Sequence, residues 1–196
     1  SGSGKSTVSK RIKNSFGKND AQIICMDRFY KCCAAAMPKV KKTGNPNFDH
    51  PDSFDWKLLR KSLKDLLNGK TIKAPIYNYK IHKRENKTHE IKPTKILIFE
   101  GFLALYDKVI NEMADLKIFV NTPLNVCLQR RLVRDQKERR RTKDSIKLQW
   151  NESVVPMYKK YVEPHIWSAD ILLPWDKENH NSIKYVLPAI KKIKVR

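Results

Sequence analysis

"SGSGKST", Ser1 to Thr7, is the stretch on which the reading of the whole chain turns. Gly4, Lys5 and Ser6 match the end of the pattern G-x-x-x-x-G-K-[ST], whose first glycine would fall before Ser1. In that pattern consecutive backbone N–H groups turn inward around phosphate oxygens, the lysine reaches the β- and γ-phosphates, and the hydroxyl ligates Mg2+ at the start of a helix. Ser3, Gly4, Lys5, Ser6 and Thr7 are therefore the candidate phosphate-binding residues, and "STVSKRIKNSF" fits the helix that should follow. Taken alone, the stretch reads equally well as a flexible Gly/Ser terminus.

Four short apolar runs decide between these readings. "AQIICMD" (Ala21 to Asp27), "KILIFEG" (Lys95 to Gly101), "LKIFVNT" (Leu116 to Thr122) and "ADILLPW" (Ala169 to Trp175) are continuous rather than alternating, as expected of buried strands in a parallel sheet covered on both faces. Helical patterns lie between them. "PDSFDWKLLRKSLKDLLNGK" sets Phe54, Leu58, Leu59, Leu63, Leu66 and Leu67 along one face and stops at Gly69. "PLNVCLQRRLVRD", "SIKLQWNESVVPMYKKYV" and "NSIKYVLPAIKKIK" read as further helices, the last two each interrupted by a proline. The alternation predicts an α/β fold with a doubly wound parallel sheet flanked by helices. One segment breaks it: residues 71–94, "TIKAPIYNYKIHKRENKTHEIKPT", have β-branched and aromatic residues around a charged turn and read as an inserted β-hairpin.

A phosphate-binding loop needs acids beside its magnesium, and two strands end in one. Glu100 closes "ILIFE" before Gly101, and Asp27 closes "IICMD". At the carboxyl ends of parallel strands both fall where such sheets bind ligands. For each the ordinary alternative is a strand-end cap; the pair together with "GKST" favours a site.

The composition sets bounds. The chain has 196 residues, one domain's worth, with 40% hydrophobic residues and no apolar run of membrane-spanning length. Cys25, Cys32, Cys33 and Cys127 have neither C-x-x-C spacing nor disulfide-scaffold density, so reduced thiols in a cytoplasmic protein are expected. The net charge of +21 suits polyanionic partners, either nucleic acid or nucleoside triphosphates. Lysines are scattered, but arginines concentrate in "RRLVRDQKERRR", Arg130 to Arg141, and guanidinium forks suit phosphates.

The chain resembles the uridine kinase (uridine–cytidine kinase) family within the P-loop nucleoside kinase group. The resemblance runs over nearly the whole length through "SGSGKST", "MDRFYK", "NFDHPDSFDW", "PIYNYKIHKR", "ILIFEGFLAL" and "RRLVRDQKERRR"; "FDHPDSFD" and P-x-Y-x-x-x-x-H-x-R are its specific signatures. It implies a single P-loop kinase domain over residues 1–196 with a nucleoside-binding hairpin (71–94) and an arginine-rich lid (135–143), the first strand and first loop glycine lying before Ser1. It implies ATP or GTP as donor, Mg2+ as cofactor, and phosphorylation of uridine and cytidine in pyrimidine salvage. A homotetramer is also implied, with neither membrane nor nucleic acid as partner.

By the same resemblance Asp27 is the catalytic base that takes the proton of the nucleoside 5′-hydroxyl, and Ser6 and Glu100 hold Mg2+. Tyr30, Phe48, Asp49, Tyr77, Tyr79 and His82 bind the nucleoside, Asp49 at the ribose hydroxyls and Tyr77 with His82 at the polar edge of the base. Arg131 and Gln149 reach the sugar, while Arg134, Arg139 and Arg141 bind the triphosphate. His50 is read as shaping the turn before Pro51. Tyr77 and His82 lie five residues apart, so strand alternation alone would not bring them to one face; a turn or bulge must. Met26 and Arg28 flank Asp27 where the family has small or amide side chains, Asn78 stands in place of an acid, and "WDKENHNS" lacks the family's glycine near the adenine. The alternatives are another small-molecule kinase of the group and a basic RNA-binding module. The second is disfavoured because no aromatic RNP-like pattern occurs.

Overall fold

The computed structural model describes residues 1–17, 19–177 and 179–193. Its elements run α1 (Lys5–Asn14), β1 (Ala21–Cys25), α2 (Trp56–Leu67), β2 (Ile72–Asn78), β3 (Lys83–Ile91), β4 (Ile96–Glu100), α3 (Lys108–Met113), β5 (Ile118–Asn121), α4 (Leu124–Arg139), α5 (Lys143–Gln149), α6 (Val155–Tyr161), β6 (Ile171–Pro174) and α7 (His180–Lys192). The chain divides into two compact units. One is Ser1–Ser15 with Ala114–Arg196, the other Phe16–Met113.

In the Phe16–Met113 unit β1 and β4 pair in parallel, in register from Ala21 opposite Ile96 to Cys25 opposite Glu100. Both strands therefore end at the same edge, with Asp27 two residues further on in a 3-10 turn, Met26–Phe29. α2 packs on β2 and on that turn, and its Leu59, Leu63 and Leu66 are buried as the helical spacing predicts. Asp55 caps α2 by accepting from the Leu58 N–H at 3.0 Å. At the other end Gly69, at φ 74°, ends the helix: its N–H bonds the Leu66 carbonyl and the Lys70 N–H bonds that of Asp65. That is a Schellman closure, in which a side chain at the left-handed position would be strained.

The hairpin forms as expected, β2 antiparallel to β3, with two departures from alternation. The register shifts between Pro75 and Tyr77, with the surplus residues on β3, so that Tyr77 faces Arg84. The four-residue tip ends on His82 at φ 49°, in the left-handed region. Asn78 builds that tip, its Oδ1 accepting from the N–H groups of Lys80 and Ile81 at 3.0 and 3.4 Å. An acid at position 78 could accept the same bonds; the amide also donates to Glu85 at 3.2 Å.

In the other unit β5 pairs in parallel with β6, from Ile118 opposite Ile171 to Asn121 opposite Pro174. Among the described residues each parallel pair is a two-stranded sheet of its own. This qualifies the expectation of strands buried on both faces: with one neighbour each, Ile96 to Phe99 and Ile118 to Val120 are half-exposed, whereas Ile24 is fully buried. The helix expected across "SIKLQWNESVVPMYKKYV" is α5 and α6 joined by a π-helical turn, Trp150–Val154. Pro156 accounts for the widened turn, because it has no N–H to donate and its ring crowds the carbonyl one turn earlier. Trp150 and Val154 use that turn to pack on Cys127 of α4. Pro188 lies inside α7 without ending it. No helix among the described residues is long and apolar enough to cross a membrane.

Candidate active site

Each unit holds one set of the expected residues. In the Ser1–Ser15/Ala114–Arg196 unit the set begins with the loop. Gly4 is the N-cap of α1 at φ 91°, with no side-chain hydrogen bond to the first turn. The inward-facing end of a helix, with its first-turn N–H groups and its dipole, makes the loop receptive to an anion. Lys5, Ser6 and Thr7 form the turn. The loop lies close against its supports. A Cβ on Gly4 would sit 2.3 Å from Trp175 Cδ1, one on Gly2 would sit 2.4 Å from the Cys127 carbonyl oxygen, and Thr122 Oγ1 donates to the Ser3 carbonyl at 2.9 Å. Trp175 is fully buried, with the Arg11 guanidinium 5.9 Å from its ring centroid.

Beside the loop four guanidiniums gather on one carboxylate. Asp135, fully buried, meets Arg131 at 3.3 Å, Arg134 at 2.8 Å, Arg139 at 3.5 Å and Arg141 at 3.8 Å. Gln149 Oε1 accepts from Arg131 at 2.7 Å and from Arg141 at 2.6 Å, and Arg134 Nη2 reaches Ser1 Oγ at 3.3 Å. Burial pushes the Asp135 carboxyl up, but the Arg134 hydrogen bond and the charges of Arg134, Arg139 and Arg131 outweigh it and hold the group below its ordinary value. One negative charge thus preorganises an excess of positive charge, the requirement for binding a polyanion. The segment expected as a lid, 135–143, starts at this carboxylate: the Asp135 carbonyl accepts from the N–H of Arg140, which ends α4 at φ 54°, and from that of Arg141.

In the Phe16–Met113 unit the two acids converge. The Cys25 thiol, hydrogen-bonded to Glu100, is pushed up to about 12 by burial and by the charges of Asp27 and Glu100. Met26 is fully buried against Gly101, where a Cβ would sit 2.4 Å from the Met26 Cβ. The large side chain next to Asp27 is thus accommodated by the glycine after Glu100.

Tyr30 continues the site into an aromatic cluster. Its ring lies 5.6 Å from Phe48, edge-on, and 5.1 Å from Tyr77, which in turn lies 5.4 Å from Tyr79; Phe48 lies 4.7 Å from His82. Burial raises the Tyr30 hydroxyl well above its ordinary value, helped by the charges of Asp27 and Asp49 nearby. Burial also depresses His82 below its ordinary value, which favours the neutral imidazole, with one nitrogen to donate and one to accept. The Tyr77 hydroxyl is buried without a hydrogen-bond partner. His50 accepts from the Asp52 N–H at 3.1 Å and shapes the Pro51–Ser53 turn, as its sequence position suggests.

The sugar-binding residues expected in the arginine block, Arg131 and Gln149, lie in the unit of the loop; Tyr30, Phe48, Asp49, Tyr77, Tyr79 and His82 lie in the other. Three residues had no role from the sequence. Asp135 was legible in principle, four residues from both Arg131 and Arg139 and so on their helix face. Arg84, the final residue of P-x-Y-x-x-x-x-H-x-R, donates to the Tyr30 carbonyl at 2.7 Å, the Phe29 carbonyl at 3.4 Å and Asp55 Oδ2 at 3.2 Å. Trp175 beneath the loop carries no local signal.

Ser6 and Glu100 offer hard oxygen donors, and no group of three or more His, Cys, Asp or Glu placed to hold a metal occurs among the described residues. Ser6 belongs to one unit and Glu100 to the other, and each is a donor of the type Mg2+ takes, since that ion uses few protein oxygens and completes its shell with water and substrate phosphates.

Residues 1–182 match the Phosphoribulokinase / Uridine kinase family, and the chain belongs to that family. It is 40% identical over 187 residues to a protein named uridine kinase from Ureaplasma parvum serovar 3, covering 95% of this chain and 89% of the relative. A uridine kinase from Clostridium tetani is 40% identical over 192 residues, covering 98% and 91%. Phosphoribulokinase from Rhodobacter spheroides superposes with a TM-score of 0.63 at 18% identity, over 86% of this chain and 64% of that one. A structure titled "Possible Uridine Kinase" from Bacillus stearothermophilus gives 0.61 at 17%, over 88% and 83%. The α/β fold of the P-loop kinases is therefore this chain's fold.

Gly4→Ala should weaken ATP binding by about 5- to 150-fold, since a Cβ at a left-handed φ against buried Trp175 costs about 1–3 kcal/mol of strain. Calorimetric titration with ATP checks this; wild-type affinity would show that the loop's close approach to Trp175 is irrelevant to binding.

Proposed function

We propose that this member of the Phosphoribulokinase / Uridine kinase family transfers the γ-phosphoryl group of ATP or GTP to the 5′-hydroxyl of uridine and cytidine. The observation that carries this reading is the buried, unpartnered Tyr77 hydroxyl in an aromatic cluster whose Tyr30 feels the charges of Asp27 and Asp49. A buried polar atom without a partner costs about 1–3 kcal/mol, and a ligand that supplies the partner recovers it. A pyrimidine matches this chemistry: flat faces for Tyr30, Phe48 and Tyr79, and a polar edge for Tyr77 and neutral His82. The relatives at 40% identity named uridine kinase support the same substrate class.

Within this reading Asp49 accepts hydrogen bonds from the ribose 2′- and 3′-hydroxyls. Asp27 accepts the proton of the 5′-hydroxyl as that oxygen attacks the γ-phosphorus. Ser3, Gly4, Lys5, Ser6 and Thr7 cradle the phosphates, Lys5 countering their charge. Arg134, Arg139 and Arg141 exchange Asp135 for the triphosphate and stabilise charge developing on the transferred group, with Arg131 and Gln149 directed to the sugar. Ser6 and Glu100 would hold Mg2+, which when bound neutralises phosphate charge. The cytoplasm, where nucleosides and triphosphates meet, is the compartment this activity implies.

The test is ADP release measured as kcat/KM for uridine, cytidine, deoxycytidine and adenosine. Uridine and cytidine should be preferred, with deoxycytidine poorer for the bond Asp49 loses. His82→Ala should lower the uridine value by about 5- to 150-fold, the equivalent of 1–3 kcal/mol for an unsatisfied polar edge. Adenosine as the best substrate, or an unchanged uridine value in His82→Ala, would overturn the pyrimidine reading. In the same assay Asp27→Asn should reduce turnover by about 10²- to 10⁴-fold, the range for a lost general base. Near-normal turnover would remove Asp27 from that role.

A further inference from the structure

Phosphoryl transfer uses none of the four thiols, yet two of them are adjacent and chemically distinct from the rest. The Sγ atoms of Cys32 and Cys33 are 3.6 Å apart, with the Cys32 thiol donating to the Cys33 sulfur. Cys32 is exposed and Cys33 partly so, whereas Cys127 is buried. Hydrogen bonds from the Cys32 thiol and from the Ala36 and Ala35 N–H groups, with the charge of Lys83, hold Cys33 below its ordinary value despite slight desolvation. Burial drives Cys25 and Cys127 the other way. Since the thiolate is the reactive form, the surroundings of Cys33 favour nucleophilic reaction and those of Cys25 and Cys127 oppose it.

The backbone around this pair belongs to the hairpin. The Arg84 N–H donates to the Cys32 carbonyl at 3.0 Å, the Ala34 N–H donates to the His82 carbonyl at 3.1 Å, and Cys33 bridges Lys83 in antiparallel fashion. Residues 32–34 thus run as a short third strand along residues 82–84, which include His82 and the Arg84 clamp. A change in the peptide between Cys32 and Cys33 must be absorbed by that pairing.

We propose that Cys32 and Cys33 form a reversible modification site, a vicinal dithiol that a hydroperoxide oxidises to a disulfide. In the first step the Cys33 thiolate attacks the terminal peroxide oxygen; an S–O bond forms, the O–O bond breaks, and the departing alkoxide or hydroxide takes a proton to leave as alcohol or water. Cys33 is then a sulfenic acid. In the second step the Cys32 sulfur attacks Cys33, the S–S bond forms, and the sulfenic oxygen leaves as water with the Cys32 proton. The dithiol has lost two electrons and two protons, and the hydroperoxide has gained them. Adjacent Cα atoms on a trans peptide are about 3.8 Å apart, short of the ordinary disulfide range that begins at about 4.4 Å. Such a bond is strained and easily reduced, as a regulatory disulfide must be. Its formation bends the 32–34 strand away from 82–84 and raises the KM for nucleoside. This kinetic consequence rests on the uridine kinase reading, whereas the thiol chemistry does not.

The folded full chain is treated with hydrogen peroxide, quenched, unfolded and alkylated, and the tryptic peptide Cys32–Lys39 is weighed. In the wild type that peptide should lose two hydrogens and both alkylation sites, and regain them with dithiothreitol, at a dose that leaves Cys25 and Cys127 alkylatable. In Cys32→Ser, dimedone should trap Cys33 as its sulfenic acid; in Cys33→Ser, Cys32 should resist the same dose. A wild-type peptide with both thiols intact, or equal oxidation of all four cysteines, overturns the site. Oxidised wild-type enzyme should show a several-fold higher KM for uridine, reversed by dithiothreitol and absent in both variants. Disulfide formation with an unchanged KM overturns the coupling to the hairpin. Absence of uridine turnover before treatment counts against the substrate assignment alone, because the mass shift is read without substrate.

Discussion

A single guanidinium, that of Arg84, ties together the parts of the Phe16–Met113 unit that have to meet. It rises from β3 opposite Tyr77, bonds the carbonyls of Phe29 and Tyr30 just beyond Asp27, and pairs with Asp55 at the N-cap of α2. The aromatic cluster, the acid at the end of β1 and the helix beneath them are therefore positioned by one planar fork. Lysine could not do this, because its ammonium is a point charge without a fixed set of directions. Arg84 is only partly exposed, so its bonds are less weakened by solvent than those of a surface ion pair.

The other unit solves the converse problem. There a carboxylate is the organiser, and Asp135 holds Arg131, Arg134, Arg139 and Arg141 in one place. Burying several like charges is costly unless an opposite charge lies among them. Asp135 supplies one negative charge against four positive ones, so the cluster is held together while remaining strongly attractive to a polyanion. Both devices work because a guanidinium can bond in several directions in one plane; in one unit it orders backbone, in the other it is itself ordered.

Much of this was legible in the sequence, and the limits have physical causes. The strands that lead to Asp27 and Glu100 could be read because apolar runs between turn residues carry their own signal. Gly69 could be read as the stop of a helix for the same reason. Half-exposure of β4 and β5 could not, because it depends on how many strands pair beside them. The convergence of Tyr30, Phe48, Tyr77 and His82 lay beyond local pattern, since it needs a register shift near Pro75 and a left-handed His82. Only the family signatures placed those residues in one site. Arg84 and Asp135 escaped because their work is to hold other residues, which no motif of reacting groups records. Trp175 escaped because nothing near it in sequence announces the glycine loop that rests on it.

The central claim is that the buried Tyr77 hydroxyl lacks a protein partner because it is kept for a nucleoside. Tyr77→Phe removes that oxygen and leaves the ring packed on Tyr30. The direct measurement is calorimetric titration of uridine into wild type and Tyr77→Phe, with the melting temperature of each. The account predicts equal or higher thermal stability for the variant, since no protein hydrogen bond is lost, together with about a 5- to 150-fold weaker affinity for uridine. Unchanged uridine affinity in a variant that melts at or above the wild-type temperature would contradict it.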